Sequence, residues 1–185
     1  MNNSPLYRTS MQYGAYSGLS TFAFFLLIYF INSNPLGGKS MFGFWIPILF
    51  IFLGTKFHRD TDLGGYMNYW RGVVVGLFIA LFASALGGLL VYLFGTLGDQ
   101  GIIENFRAEQ IAKIDESRQY VKSEFLNEML DKAVEEINKS TIQKMAWGAF
   151  QNGIVYGAII SLIMAAILRK SKPFFEDPNA HTTIS

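Results

Sequence analysis

Charged residues are excluded from long stretches of this chain and gathered in what lies between them. The first stretch runs from Ser10 to Ile31 (SMQYGAYSGLSTFAFFLLIYFI), the third from Gly72 to Gly95 (GVVVGLFIALFASALGGLLVYLFG) and the fourth from Met145 to Leu168 (MAWGAFQNGIVYGAIISLIMAAIL). None of these holds an Asp, Glu, Lys, Arg or His. The second, Met41 to Phe57 (MFGFWIPILFIFLGTKF), is the shortest and carries Pro47 inside it and Lys56 near its end. A bilayer core takes about 20 residues of helix, and core helices of soluble proteins seldom stay apolar that long. The pattern therefore predicts an all-α membrane protein with four transmembrane helices, over 10–31, 41–57, 72–95 and 145–168. Pro47 removes a helical hydrogen bond, which neighbouring helices must make good. Lys56 reaches the interface by snorkelling. Arg8 before the first stretch resembles a signal-peptide flank, but INSNPLGGKS lacks a small-residue cleavage site, so an uncleaved anchor is expected.

Residues 96–143 follow a different pattern. Between Glu104 and Lys139 stand nine acidic and six basic residues, and no Gly or Pro occurs between Ile102 and Trp147. Ile103, Phe106, Ile111 and Ile114, then Val121, Phe125, Met129, Ala133 and Ile137, recur near helical spacing. Glu109–Lys113 and Glu128–Lys132 pair four apart on an exposed face. Gly98 and Gly101 break the chain after the third span. Forty helical residues would reach about 60 Å, yet spans three and four meet the same membrane face. The expectation is a short helix from about Ile102, a bend near Ser117, and a longer helix running toward span four: a long amphipathic insertion folded on itself, or covered by headgroups or a partner.

Composition narrows the function classes. Charged residues make up 16% and the net charge is +1, which gives no electrostatic case for nucleic acid. There is no cysteine, so disulfides and thiolate metal sites are excluded. His58 and His181 lack a zinc-site spacing. Basic residues in the short segments place Arg8, the loop with Lys56, Arg59 and Arg71, and the tail with Arg169, Lys170 and Lys172 on the cytoplasmic side. Lys39 stands alone in the first loop. The whole chain, 1–185, reads as a single integral membrane domain with an extracytoplasmic insertion (96–143), a cytoplasmic tail (169–185) and both termini cytoplasmic.

Small residues recur every fourth position within the spans: Gly72, Gly76, Ala80, Ser84 and Gly88 in the third, Gly153, Gly157, Ser161 and Ala165 in the fourth, and Ser10, Gly14 and Gly18 in the first. Residues four apart share a face, and a face without bulk lets helix backbones approach closely in lipid. These are helix-packing candidates, with a partner in the same chain or in another copy. No ionisable group lies deep in a span, which argues against a proton-driven transporter. Gln151 and Asn152 are read first as interhelical hydrogen-bond or interface residues, then as cavity lining.

The hinge KFHRDTDLGGYMNYWRG, Lys56–Gly72, holds the remaining chemistry. Asp60 and Asp62 resemble a cation-binding Asp–x–Asp pair, and Arg59, Arg71 and the amides of Gly64–Gly65 suit a phosphate. The simpler reading is a polar turn with helix-capping Asp and Thr, interfacial Tyr66, Tyr69 and Trp70, and inside-facing bases. Lys56, Arg59 and Arg71 are candidate anionic-lipid contacts. QYG in the first span, FLGTKFHRD at the end of the second, GGYMNYWRGVVVGL opening the third and NGIVYG (Asn152–Gly157) in the last together resemble the bacterial membrane family called domain of unknown function 4199. The resemblance implies a small multi-span inner-membrane protein and brings no reaction and no site residues.

Three functions follow. A non-catalytic scaffold or accessory subunit of a membrane complex, partnered by another membrane protein or a second copy, is preferred because packing chemistry is abundant. A lipid or small-solute handling protein, acting as an oligomer, is the alternative. An enzyme has only His58, Asp60 and Asp62 to draw on, so no catalytic residue, cofactor or metal is assigned.

Overall fold

The computed structural model describes residues 5–31, 33–120 and 123–172. Val121 of the insertion's apolar stripe, and His181 with the tail beyond residue 172, lie outside them. The described residues form six α-helices: α1 (Pro5–Phe30), α2 (Trp45–Phe57), α3 (Tyr69–Leu93), α4 (Ile102–Arg118), α5 (Glu124–Asn138) and α6 (Ile142–Leu168). No strand occurs among them, and one antiparallel backbone bridge joins Met67 to Lys170. Four helical segments are long and apolar enough to cross a membrane: Pro5–Phe30, Gly38–Asp62, Tyr69–Gly98 and Ile142–Leu168.

α3 is the centre of the bundle. α1 and α6 pack along different faces of it and barely touch each other, while α2 reaches all three. On α1, Gly14 lies against Phe82 and the Ile79 carbonyl, and Gly18 against Leu86 and the Ala83 carbonyl. Ile51, Val75, Ile79, Ala80 and Ile160 form the core cluster. Burial runs opposite to that of a soluble protein. Ser10, Ser17, Thr55, His58 and Ser161 are fully buried, whereas Leu19, Leu27, Leu89, Val155, Ile159 and Ile163 face outward. Small and hydroxylated residues inside with bulky aliphatics outside is the arrangement suited to lipid as solvent. The chain is an all-α membrane protein.

The two ends of the bundle are distinct. At one, the Tyr29 hydroxyl donates to Asp99 at 3.1 Å and the Glu109 carboxylate lies over Gly37, so the first loop and the insertion share a face. At the other, Thr9, the hinge and the end of α6 meet.

Three expectations are corrected. Pro47 is the third residue of α2, in the first turn, where its missing N–H has no intrahelical partner to lose. The second span does not stop at Phe57. A 3-10 turn, Gly38–Gly43, leads into α2, and a π-type turn, His58–Asp62, prolongs it. The insertion's second helix is not the longer one and does not run into the last span. α4 has 17 residues, α5 has 15, and the chain breaks at Lys139–Thr141. The Ser140 hydroxyl bonds back to the Glu136 carbonyl, and Thr141 caps α6 by accepting from the Lys144 N–H at 3.3 Å. Hydroxyl side chains at this point satisfy helix ends better than helix interiors.

Candidate functional site

The small residues of α3 and α6 face one another rung by rung. Gly72 lies against Ala165, Gly76 against Ser161, Gly157 against Ala80 and Gly153 against Ser84, and Gly88 lies over the Ala146 carbonyl and Phe150. Each step of four forward on α3 meets a step of four back on α6. The first four rungs each pair one glycine with one Ala or Ser, the glycine standing on α3 in the first two and on α6 in the next two. Ser161 Oγ donates to the Gly157 carbonyl at 2.6 Å. The stripe is thus filled within the chain.

The hinge is held by side chains drawn inward. Arg59 donates through Nε to Asp60 at 2.6 Å and through Nη1 to the Leu168 carbonyl at 3.3 Å, where a cation meets the carbonyl end of α6. Met67 and Lys170 exchange backbone hydrogen bonds of 2.9 Å, and the Lys170 ammonium lies 5.4 Å from the Tyr66 ring centre. Lys56 and Arg71 remain exposed. Gly64 and Gly65 turn the chain at φ 64° and 87°, a region most side chains avoid. Asn68 caps α3 by accepting from the Arg71 N–H at 3.0 Å.

Asp60 and Asp62 diverge. Asp60 turns to Arg59, while Asp62 accepts from the His58 ring at 2.7 Å and from the Thr9 hydroxyl at 3.1 Å. His58 is fully buried and its Nε2 meets no partner among the described residues. No three His, Asp or Glu among the described residues converge as metal ligands. The Thr9–Asp62 contact spans most of the first two helices, so no sequence spacing announces it.

A concave feature lies at the insertion end of the bundle. The first loop, the 3-10 turn and the start of α2 wall one side of it and α1, α3 and α6 the others, around a partly open cavity of about 520 Å³. Its lining extends from Ser17 to Ile28 on α1, from Ala80 to Val91 on α3 and from Lys144 to Ile160 on α6. At 1.5 Å per residue this is a length of about 17 to 24 Å. Phe24, Phe25, Val91 and Met145 make the wall apolar, and Asn152 and Tyr156 stand at the exposed edge between α2 and α6. Ser17 is a lining residue, and its buried Oγ has no hydrogen-bond partner among the described residues. Lys144 is the only charged lining residue, and it makes no ion pair among the described residues.

Two glycines differ from those of the stripes. Gly87 and Gly148 line the cavity, and a Cβ on either would meet nothing within 4 Å. They are not needed for helix contact; they keep the walls thin. Beside the cavity mouth, Lys113 donates to Glu109 and holds its carboxyl below the usual carboxylate range.

No curated protein and no solved structure is detectably similar to this chain. The family described as protein of unknown function (DUF4199) matches residues 12–170, so the chain belongs to that family.

Proposed function

We propose that this chain is a non-catalytic membrane protein that takes an apolar or amphiphilic molecule from the bilayer into the cavity between its four helices: a lipid or small-solute handling protein. The observation carrying the reading is the elongated cavity of about 520 Å³ with Gly87 and Gly148 in its walls. Its size falls within the range of small-molecule sites, about 300–1,000 Å³. The void is partly open and its lining is mainly apolar, so molecules of the surrounding bilayer can enter it. An occupant is the physical expectation, and lipid is the nearest source.

Enzyme chemistry draws little support, because the hinge carboxylates are spent on Arg59, His58 and Thr9. The bias of basic residues supports a bacterial inner-membrane placement with both termini cytoplasmic and the cavity mouth toward the outer face. A second reading, a scaffold for a protein partner, rests on α5 and its approach, where Tyr120, Phe125, Leu126 and Met129 are exposed.

Gentle extraction from native membranes, with identification of co-purifying lipids and proteins, separates the two. The lipid-handling reading expects a retained amphiphile that is lost when Gly87→Leu and Gly148→Leu fill the cavity. A stoichiometric protein partner retained by both forms, with no bound amphiphile in either, would favour the scaffold.

A further inference from the structure

We propose that the cavity takes an extended hydrocarbon chain carrying an anionic head, with the head held by Lys144 and the chain lying along α6 between Gly87 and Gly148. The inference rests on the amphiphile-binding reading above and names its ligand class.

Shape sets the tail. The cavity of about 520 Å³ runs for about 20 Å along the helices, an elongated shape that suits an extended hydrocarbon chain. Branching at Gly87 and Gly148 would close the channel, and both positions are bare while open space lies in front of them.

Charge sets the head. Lys144 is exposed, stands in the first turn of α6 and is the sole charged residue of the lining. Its ammonium is free of carboxylate partners among the described residues. The N-terminus of α6 adds partial positive charge at the same end. An acidic head is therefore complementary, whether it is the carboxylate of a free fatty acid or the phosphate of a phospholipid whose one acyl chain enters the channel.

The test uses the full-length protein in neutral lipid nanodiscs at mildly alkaline pH. It is labelled with photoactivatable probes of equal chain length: a fatty acid, the corresponding long-chain alcohol, and a phosphatidylglycerol carrying the reactive group on one acyl chain. Crosslinks on Met145, Phe24 or Phe25 by the acid or the phospholipid are expected. Lys144→Ala should lower that labelling about tenfold, the loss of one charge-assisted hydrogen bond. Lys144→Arg should keep it, and labelling by the alcohol should not change, which also reports an intact fold. Dependence on Lys144 for the phospholipid alone assigns the head to a lipid phosphate; for the fatty acid alone, to a free carboxylate. Equal labelling by acid, phospholipid and alcohol, unaffected by Lys144→Ala, would overturn the headgroup assignment while leaving the cavity reading in place. Labelling that bypasses the cavity, or that persists with Gly87→Leu and Gly148→Leu, would overturn both.

Discussion

Asp62 holds two partners at once, the His58 ring and the Thr9 hydroxyl, and so ties the hinge to the second turn of α1. Asp62→Ala removes both bonds and leaves His58 buried without any. The expected loss is about 1–3 kcal/mol of stability, with Thr9→Val losing less, measured as resistance to unfolding in mixed micelles. No loss in Asp62→Ala would mean that the hinge is held by its backbone bridge alone. At the other end, Glu109 has a carboxyl held below its ordinary range by Lys113. A depressed folded-state pKa stabilises above the unfolded value, and that stability is lost as pH falls through the folded value. The protection of α4 amides, taken relative to their intrinsic exchange rate at each pH, should therefore fall in acid, and Glu109→Gln should remove that pH dependence. Residue chemistry was the least legible level in the sequence. The apolar windows placed a polar turn over Lys56–Gly72, but helix continues through Asp62 and resumes at Tyr69, and Arg59 reaches the end of α6 and Thr9 reaches Asp62 across the bundle. No local pattern encodes either contact.

The seam between α3 and α6 alternates glycine with a small side chain, and this makes the packing separable by exchange. Gly157→Ala puts a Cβ onto that of Ala80. Overpacking of this kind costs about 1–3 kcal/mol, against a helix-propensity gain of about 1 kcal/mol for replacing glycine by alanine. Net destabilisation is expected. Adding Ala80→Gly should restore stability by returning the rung to one glycine and one alanine, with Ala80→Gly alone causing only a modest loss. A double variant no better than Gly157→Ala would show that the rung is not a contact. Helices and their small stripes were legible because four-residue spacing is a local property. The partner of each stripe was not, because pairing depends on how α3 is shared between α1 and α6. Gly87, beside Gly88, shows the limit: one of the two packs and the other faces open space, a difference of one step around the helix that composition does not reveal. The break before α6 was missed because helix formers dominate α5 and the signal, Ser140–Thr141, is short.

At the scale of the molecule, the cavity lies where α1, α3 and α6 meet the first loop, the 3-10 turn and the start of α2. The four-span architecture was written in the apolar windows, since lipid demands length and charge exclusion together. The cavity was not, because it depends on how these elements meet in space. The small-residue stripes, whose spacing allowed a partner in the same chain or in another copy, are used between α3 and α6, which moves the weight toward a bound amphiphile. The most direct measurement is native mass spectrometry of the protein released from nanodiscs made with its own membrane lipids. One amphiphile per chain, absent from the Gly87→Leu and Gly148→Leu variant, is the result this account predicts. Bare chains in both forms, or the same adducts in both, would contradict it.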